Sequence, residues 1–116
     1  MNRRVVITGV GLVTPVGVGV ADSWAAICAG KSGIGKITRF DASDYATQIA
    51  GEVKDFDPTV AMERHEVKRF DPFIQYALVA AKEAVEDSGI DFSSVDCERA
   101  GAIIGSGIGG LTAAAC

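Results

Sequence analysis

Arg3-Arg4-Val5-Val6-Ile7-Thr8-Gly9-Val10-Gly11-Leu12-Val13-Thr14-Pro15-Val16-Gly17 is the stretch on which the fold turns. It starts as an apolar run rich in β-branched residues. It then breaks at Gly9, Gly11, Pro15 and Gly17. That pattern predicts a strand leading into a tight loop. The run is continuous rather than alternating, as in strands covered on both faces. The chain is therefore expected to open inside the core of a layered α/β structure.

A second run of the same kind lies far along the chain. Arg99-Ala100-Gly101-Ala102-Ile103-Ile104-Gly105 predicts another buried strand, followed by a glycine-rich turn over Gly105–Gly110. Between the two, local signals place helices. Asp22 to Gly30 predicts a short helix with Val20, Trp24, Ile27 and Cys28 on one stripe and Gly30 at the left-handed stop. Asp57-Pro58 and Asp71-Pro72 each read as an N-cap followed by a proline at the first helical position. From Phe73 to Asp87, Ile74, Ala77, Leu78, Ala81, Ala84 and Val85 recur at helical spacing, with Lys82, Glu83, Glu86 and Asp87 on the wet side. Gly89 ends that helix. Residues 31–35 and 40–45 read as loops, 49–53 as a short strand, and 91–98 as a polar loop. Leu111–Cys116 reads as the first turns of a helix with no stop signal after it. A helix that short is unfinished, so the chain is expected to be the opening part of a larger domain.

Bulk properties exclude several classes. The 116 residues are 48% hydrophobic, enough for a globular core. The net charge of −4 gives no general attraction to nucleic acid or to an anionic membrane. No apolar run approaches the roughly 18 residues that a membrane span needs. No secretory leader is expected, since the opening apolar stretch lacks a small-residue cleavage site; the expected compartment is the cytoplasm. Cys28, Cys97 and Cys116 make an odd count with no close pair, against both a disulfide framework and a CxxC metal site. A single histidine, His65, is too few for a multi-histidine zinc site.

The glycine loops admit two readings. Gly105-x-Gly107-x-x-Gly110 follows an expected strand and satisfies the dinucleotide-binding spacing. The first loop, Gly9-x-Gly11-x-x-Thr14, lacks the third glycine, and Pro15 would interrupt a helix beginning there. In the other reading these glycines let backbone pass close to backbone, or turn with positive φ.

Taken together, the two glycine segments, Gly30–Ile34, Phe40-Asp41 and Asp71-x-Phe73-x-Gln75-Tyr76 resemble the β-ketoacyl-acyl-carrier-protein synthases. Within that family the match is closest to the type II, elongating condensing enzymes. Ile108 stands where type I elongating enzymes tend to carry a further glycine. The resemblance implies a thiolase-like layered α/β/α fold, of which residues 1–116 would be the N-terminal part. It implies an acyltransferase that extends fatty acyl chains by decarboxylative condensation with malonyl carrier protein. No metal or bound cofactor is implied, because the phosphopantetheine belongs to the partner acyl carrier protein. Acyl and malonyl thioesters would be the substrates, and the full-length enzyme would be a homodimer. Two alternatives stay open: a Rossmann-type nucleotide-binding oxidoreductase, and a non-catalytic chain-length partner subunit of the same fold.

Two groups of residues carry site expectations. Arg64, His65, Lys68 and Arg69 are clustered in an acidic chain, and a helix would put all four on one side. Such a run is commonly just a solvated face, here partly neutralised by Glu63 and Glu66. The resemblance implies instead a dock for the acidic carrier protein. Ile108 is the lone bulky side chain in a glycine and serine turn. It either plugs the core beneath the turn or lines a cavity, and the resemblance implies that it lines the acyl pocket. No catalytic residue is assigned. Condensation needs a thiolate, oxyanion donors and groups that hold the malonyl carboxylate, and in the family these are a Cys, two His and a Lys beyond residue 116. Cys28 reads as an inert core thiol, and Cys97 has no neighbouring base. This segment alone is expected to be inactive.

Overall fold

The computed structural model describes residues 3–110. They form two compact units. One is Leu12–Asp57; the other joins residues 3–11 to 58–110.

The Leu12–Asp57 unit begins with a hairpin. β1 (Val13–Thr14) pairs antiparallel with β2 (Gly17–Val18), with Thr14 opposite Gly17. Pro15 and Val16 make the two-residue turn, where the missing N–H of proline leaves no ladder bond unmade. α1 (Val20–Cys28) follows. It stops as expected: Gly30 sits at φ +67°, its N–H donates to the Ile27 carbonyl, and the Lys31 N–H donates to Ala26. That pair of reversed bonds is a Schellman stop, which favours glycine at the left-handed position.

The covered face of α1 is small. Ser23 and Ala26 are buried, whereas Trp24 and Ile27 are exposed. Ser23 is fully enclosed, and its hydroxyl donates to the Gly17 carbonyl at 3.0 Å. Thr14 Oγ1 lies 3.0 Å from both Ser23 Oγ and the Gly17 carbonyl. This hydroxyl network ties the helix to the hairpin. The expected stripe of Trp24, Ile27 and Cys28 is thus not the buried one, and Cys28 is an exposed thiol rather than a core thiol. The tight approach to Gly17 leaves room only for small side chains.

β3 (Ile34–Lys36) pairs antiparallel with β4 (Ile49–Gly51). The second strand matches expectation. The first replaces part of an expected loop, because its two glycines hid a strand. A Cβ on Gly33 would stand 2.7 Å from Pro15 Cβ, and one on Gly51 would stand 2.9 Å from Pro15 Cγ. Both hairpins therefore meet at Pro15. Glu52 closes the far end of the second hairpin. Its carboxylate accepts from Thr38 N at 3.0 Å, Thr38 Oγ1 at 2.7 Å and Arg39 N at 3.3 Å. The hydrogen bonds from Thr38 hold the Glu52 carboxyl below its ordinary range.

In the other unit the central element is α3 (Pro72–Ser88), with Gly89 at φ +62° at its stop. Pro72 opens it as expected, but the Asp71 side chain makes no capping bond. A one-turn helix, α2 (Arg64–Val67), and a 3-10 turn at Pro58–Val60 precede it. Another 3-10 turn at Cys97–Arg99 ends the expected polar loop, with the exposed Cys97 in it.

The opening glycines belong to this unit. A Cβ on Gly9 would lie 2.2 Å from the Ala84 carbonyl oxygen, and one on Gly11 would lie 1.9 Å from that of Ala80. The Val10 N–H donates to Asp87 Oδ2 at 2.9 Å. Residues 9–11 thus lie against the helix backbone, in the close-approach role expected of glycine. The buried residue of α3 is Val79, and Leu78 and Val85 are exposed. The expected apolar stripe is therefore only partly covered, and the chain that packs on α3 uses its alanine side.

Neither expected buried strand forms a ladder among the described residues. Val5, Val6 and Ile7 are exposed, as are Ile103 and Ile104. A strand needs a neighbour to take its backbone groups, and no described segment supplies one. The buried apolar residues are few: Ala26 and Ala42 in one unit, Met62 and Val79 in the other. The helix expected over Leu111–Cys116 lies outside the described residues.

Candidate functional site

The start of α3 contacts both segments that carry expected site residues. Three side chains there face two neighbours. Asp71 and Phe73 meet the glycine turn: a Cβ on Gly109 would lie 3.2 Å from Phe73 Cζ, and one on Gly110 would lie 3.1 Å from Asp71 Oδ2. Both glycines have positive φ, at +60° and +63°. So they are required by the turn and by its neighbours, independently of any phosphate. Gln75 reaches the other way, to α2. Its Nε2 donates to the Phe70 carbonyl at 2.7 Å and to the Val67 carbonyl at 3.0 Å.

The basic cluster sits on α2 and the turn after it. Arg64 and His65 are on the helix, Lys68 is its C-cap, and Arg69 follows. All four are exposed. One helical turn does not hold itself together in water. Here it is closed at both ends. At the start, Glu63 and Glu66 form a reciprocal capping box, with the Glu63 N–H donating to Glu66 Oε2 at 2.9 Å. At the end, the Phe70 N–H donates to the Glu66 carbonyl, and the Gln75 amide takes two further carbonyls.

Glu63 and Glu66 were expected to neutralise part of the cluster. Glu63 Oε2 lies 3.2 Å from His65 Nδ1, and both carboxylates also serve the capping box at the helix start. No ion pair to Arg64, Lys68 or Arg69 occurs among the described residues. Three permanent cations are left facing solvent. Sequence reasoning found the cluster but missed Gln75 as its anchor, although Asp71-x-Phe73-x-Gln75 was already a distinctive stretch.

Ile108 is 77% exposed, at a bend between Gly107 and Gly109. Among the described residues no core covers it. An open cavity of about 530 Å³ lies elsewhere, in the Leu12–Asp57 unit, lined by Val16, Asp22, Lys31, Lys54 and Asp55 among others. It contains none of the expected site residues. Among the described residues no group of three or more His, Cys, Asp or Glu is placed to hold a metal. No helix there is long and apolar enough to cross a membrane.

Comparison with known proteins gives the family. The profile of the family described as "Beta-ketoacyl synthase, N-terminal domain" matches residues 2–115. A 3-oxoacyl-[acyl-carrier-protein] synthase 2 of Coxiella burnetii is 51% identical over 110 residues, 95% of this chain and 27% of that protein. The protein of the same name from Vibrio harveyi is 48% identical over 110 residues, 95% of this chain and 26% of its own length. Among solved structures, the ishigamide ketosynthase/chain length factor matches with a TM-score of 0.71 and 37% identity, over 82% of this chain and 24% of that one. The chain thus spans about a quarter of the length of the relatives it matches.

Proposed function

The chain belongs to the beta-ketoacyl synthase family, with its thiolase-like α/β fold, and on that premise we propose that it is the N-terminal part of an elongating 3-oxoacyl-acyl-carrier-protein synthase of type II. The names of its relatives support this reading. The dinucleotide alternative is set aside because the family match runs over residues 2–115; of the three glycines in that spacing only Gly110 has a positive φ and a close neighbour.

The whole enzyme would act as an acyltransferase in fatty acid synthesis. A cysteine thiolate takes the acyl group from its carrier thioester and releases the carrier thiol. Malonyl carrier protein then loses CO2, and the carbanion attacks the acyl-enzyme carbonyl. The thiolate leaves, and the 3-oxoacyl chain stays on the carrier. The nucleophile, two histidines and a lysine would come from sequence beyond residue 116. The phosphopantetheine arm is the carrier's, so no cofactor of its own is needed. The reading extends to a cytoplasmic homodimer, with Ile108 lining the acyl pocket.

This segment's own contribution is the dock. The observation that carries it is the set of unpaired cations at Arg64, Lys68 and Arg69, with the nearby acids committed to the capping box. An acidic partner meets three cations without ion-pair partners there, beside the exposed Glu63–His65 pair. Double charge reversal, Lys68→Glu with Arg69→Glu, is the test, made in the full-length enzyme. Affinity for the acyl carrier protein should fall, and its salt dependence should flatten. Unchanged affinity at low salt would mean that the patch is only a solvated face.

The solved ketosynthase/chain length factor favours one further possibility, a partner subunit of the same fold. A cysteine with two later histidines beyond residue 116 supports the synthase, and loss of that cysteine supports the subunit.

A further inference from the structure

We propose that Gln75 is a positioning residue for carrier recognition: it holds the cationic turn in the shape that the carrier binds. The inference rests on the docking role of Arg64, Lys68 and Arg69, and deepens it.

The geometry is specific. One atom, Gln75 Nε2, lies 2.7 Å from the Phe70 carbonyl and 3.0 Å from the Val67 carbonyl. Two acceptors at one atom require the amide nitrogen there, with each of its hydrogens used once. The Val67 carbonyl ends α2, where backbone acceptors lack helical partners, and the Phe70 carbonyl closes the turn after it. Both bonds are partly buried, so water does not simply replace them. Lys68 and Arg69 lie in the chain between the two carbonyls that Gln75 holds. Fixing Val67 and Phe70 therefore fixes the backbone that presents both cations. Gln75 itself is half-buried on α3, behind the turn, so it need not touch the carrier.

A helix of four residues has little stability of its own. Without the amide, its C-terminal end keeps only the N–H bonds of Arg69 and Phe70 to the Glu66 carbonyl. The turn then populates other shapes, and a partner that needs one shape binds more weakly by the fraction that remains competent.

The test uses the full-length enzyme with two variants, Gln75→Met and Gln75→Glu. Both keep the length of the side chain and remove the paired donors. Each is assayed with acyl carrier protein thioester and with a carrier-free acyl thioester, beside the Lys68→Glu/Arg69→Glu enzyme. We expect KM for the carrier substrate to rise by about three- to thirtyfold, the loss of one to two ordinary hydrogen bonds. The turnover number, and KM for the carrier-free thioester, should not move. Hydrogen exchange at the Arg69 and Phe70 amides should quicken. Unchanged carrier KM in both glutamine variants, with a clear loss on charge reversal, overturns the positioning role and leaves the dock standing. No loss in any of the three overturns both. Equal losses on both substrates, or variants that lose their fold together, make Gln75 a general structural residue and also overturn the proposal.

Discussion

The contact between the opening segment and α3 supports a sharp experiment on Gly11. An added Cβ would stand 1.9 Å from the Ala80 carbonyl oxygen and 2.8 Å from both the Ala80 carbonyl carbon and the Ala84 nitrogen. Ordinary carbon–oxygen contact needs more than 3 Å, so the chain must lift by on the order of 1 Å from the helix. The obstacle is hydrogen-bonded helix backbone, which cannot rotate away as a side chain can. Overpacking costs about 1–3 kcal/mol where it is not relieved, and Gly11→Ala belongs at the upper end. The shift is about 2–4 °C per kcal/mol for 150–250 residues and smaller for a longer protein, so the melting temperature should fall by about 3–6 °C. The assay is thermal unfolding of the full-length protein, with Gly35→Ala as control, since no atom lies within 4 Å of a Cβ there. A second variant isolates the cause. Ala80→Gly removes a side chain but leaves the carbonyl in place, so it should not rescue Gly11→Ala. A Gly11→Ala protein as stable as Gly35→Ala, or rescue by Ala80→Gly, would refute the backbone contact.

Other outcomes follow from the same geometry. Ser23→Ala should cost about 0.5–1.5 kcal/mol in a chemical denaturation, because it removes one donor to the Gly17 carbonyl while Thr14 Oγ1 keeps its own bond there, and Ser23→Val should cost more. Glu52 titrates below its ordinary value, so its stabilisation is complete above that value and is lost as pH falls through the lowered one; the protection of the Thr38 amide, relative to its intrinsic exchange rate, should fall on acidification, and Glu52→Gln should remove that pH dependence. The 116-residue chain by itself should form no 3-oxoacyl product from acyl and malonyl carrier proteins, and no stable acyl thioester at its exposed Cys28. Ile108→Phe in the full-length enzyme should slow acylation by long chains far more than by short ones; because Ile108 is exposed in this segment, a uniform loss with lower thermal stability would contradict a pocket role.

Signals that act within a few residues were legible in the sequence. Pro72 and Gly89 bound α3, and Gly30 ends α1, because each solves a local backbone problem. The role of Gly9 and Gly11 was legible as one of two alternatives, and what they approach was not. Ile34–Lys36 was hidden because Gly33 and Gly35 look like loop, while their reason to be small or flexible lies partly in Pro15. Gln75 stood in a distinctive stretch, but its partners are five and eight residues back, in the turn before α3 and at the end of α2. Nothing in the periodicity of α3 singles out a polar side chain in its first turn as an anchor.

The burial pattern misled for a more general reason. Periodicity reports that a helix has an apolar stripe, not what covers it. On α1 the covered residues are small, Ser23 and Ala26; on α3 the opening segment lies against the backbone of Ala80 and Ala84, and Val79 is buried as well. Where backbone approaches closely, as at Gly9, Gly11 and Gly17, the facing residues are small. The bulky residues Trp24, Ile27, Leu78 and Val85 are left exposed. The same holds for the two apolar runs, Val5–Ile7 and Ile103–Ile104, whose side chains are exposed and whose backbones have no strand partner among the described residues. Both kinds of surface are what a layered fold would bury against further layers. The small faces and the α3 hub are complete within this segment, whereas its hydrophobic faces and runs are addressed outward. A chain that spans about a quarter of its relatives would present such surfaces to the rest of the ketosynthase fold.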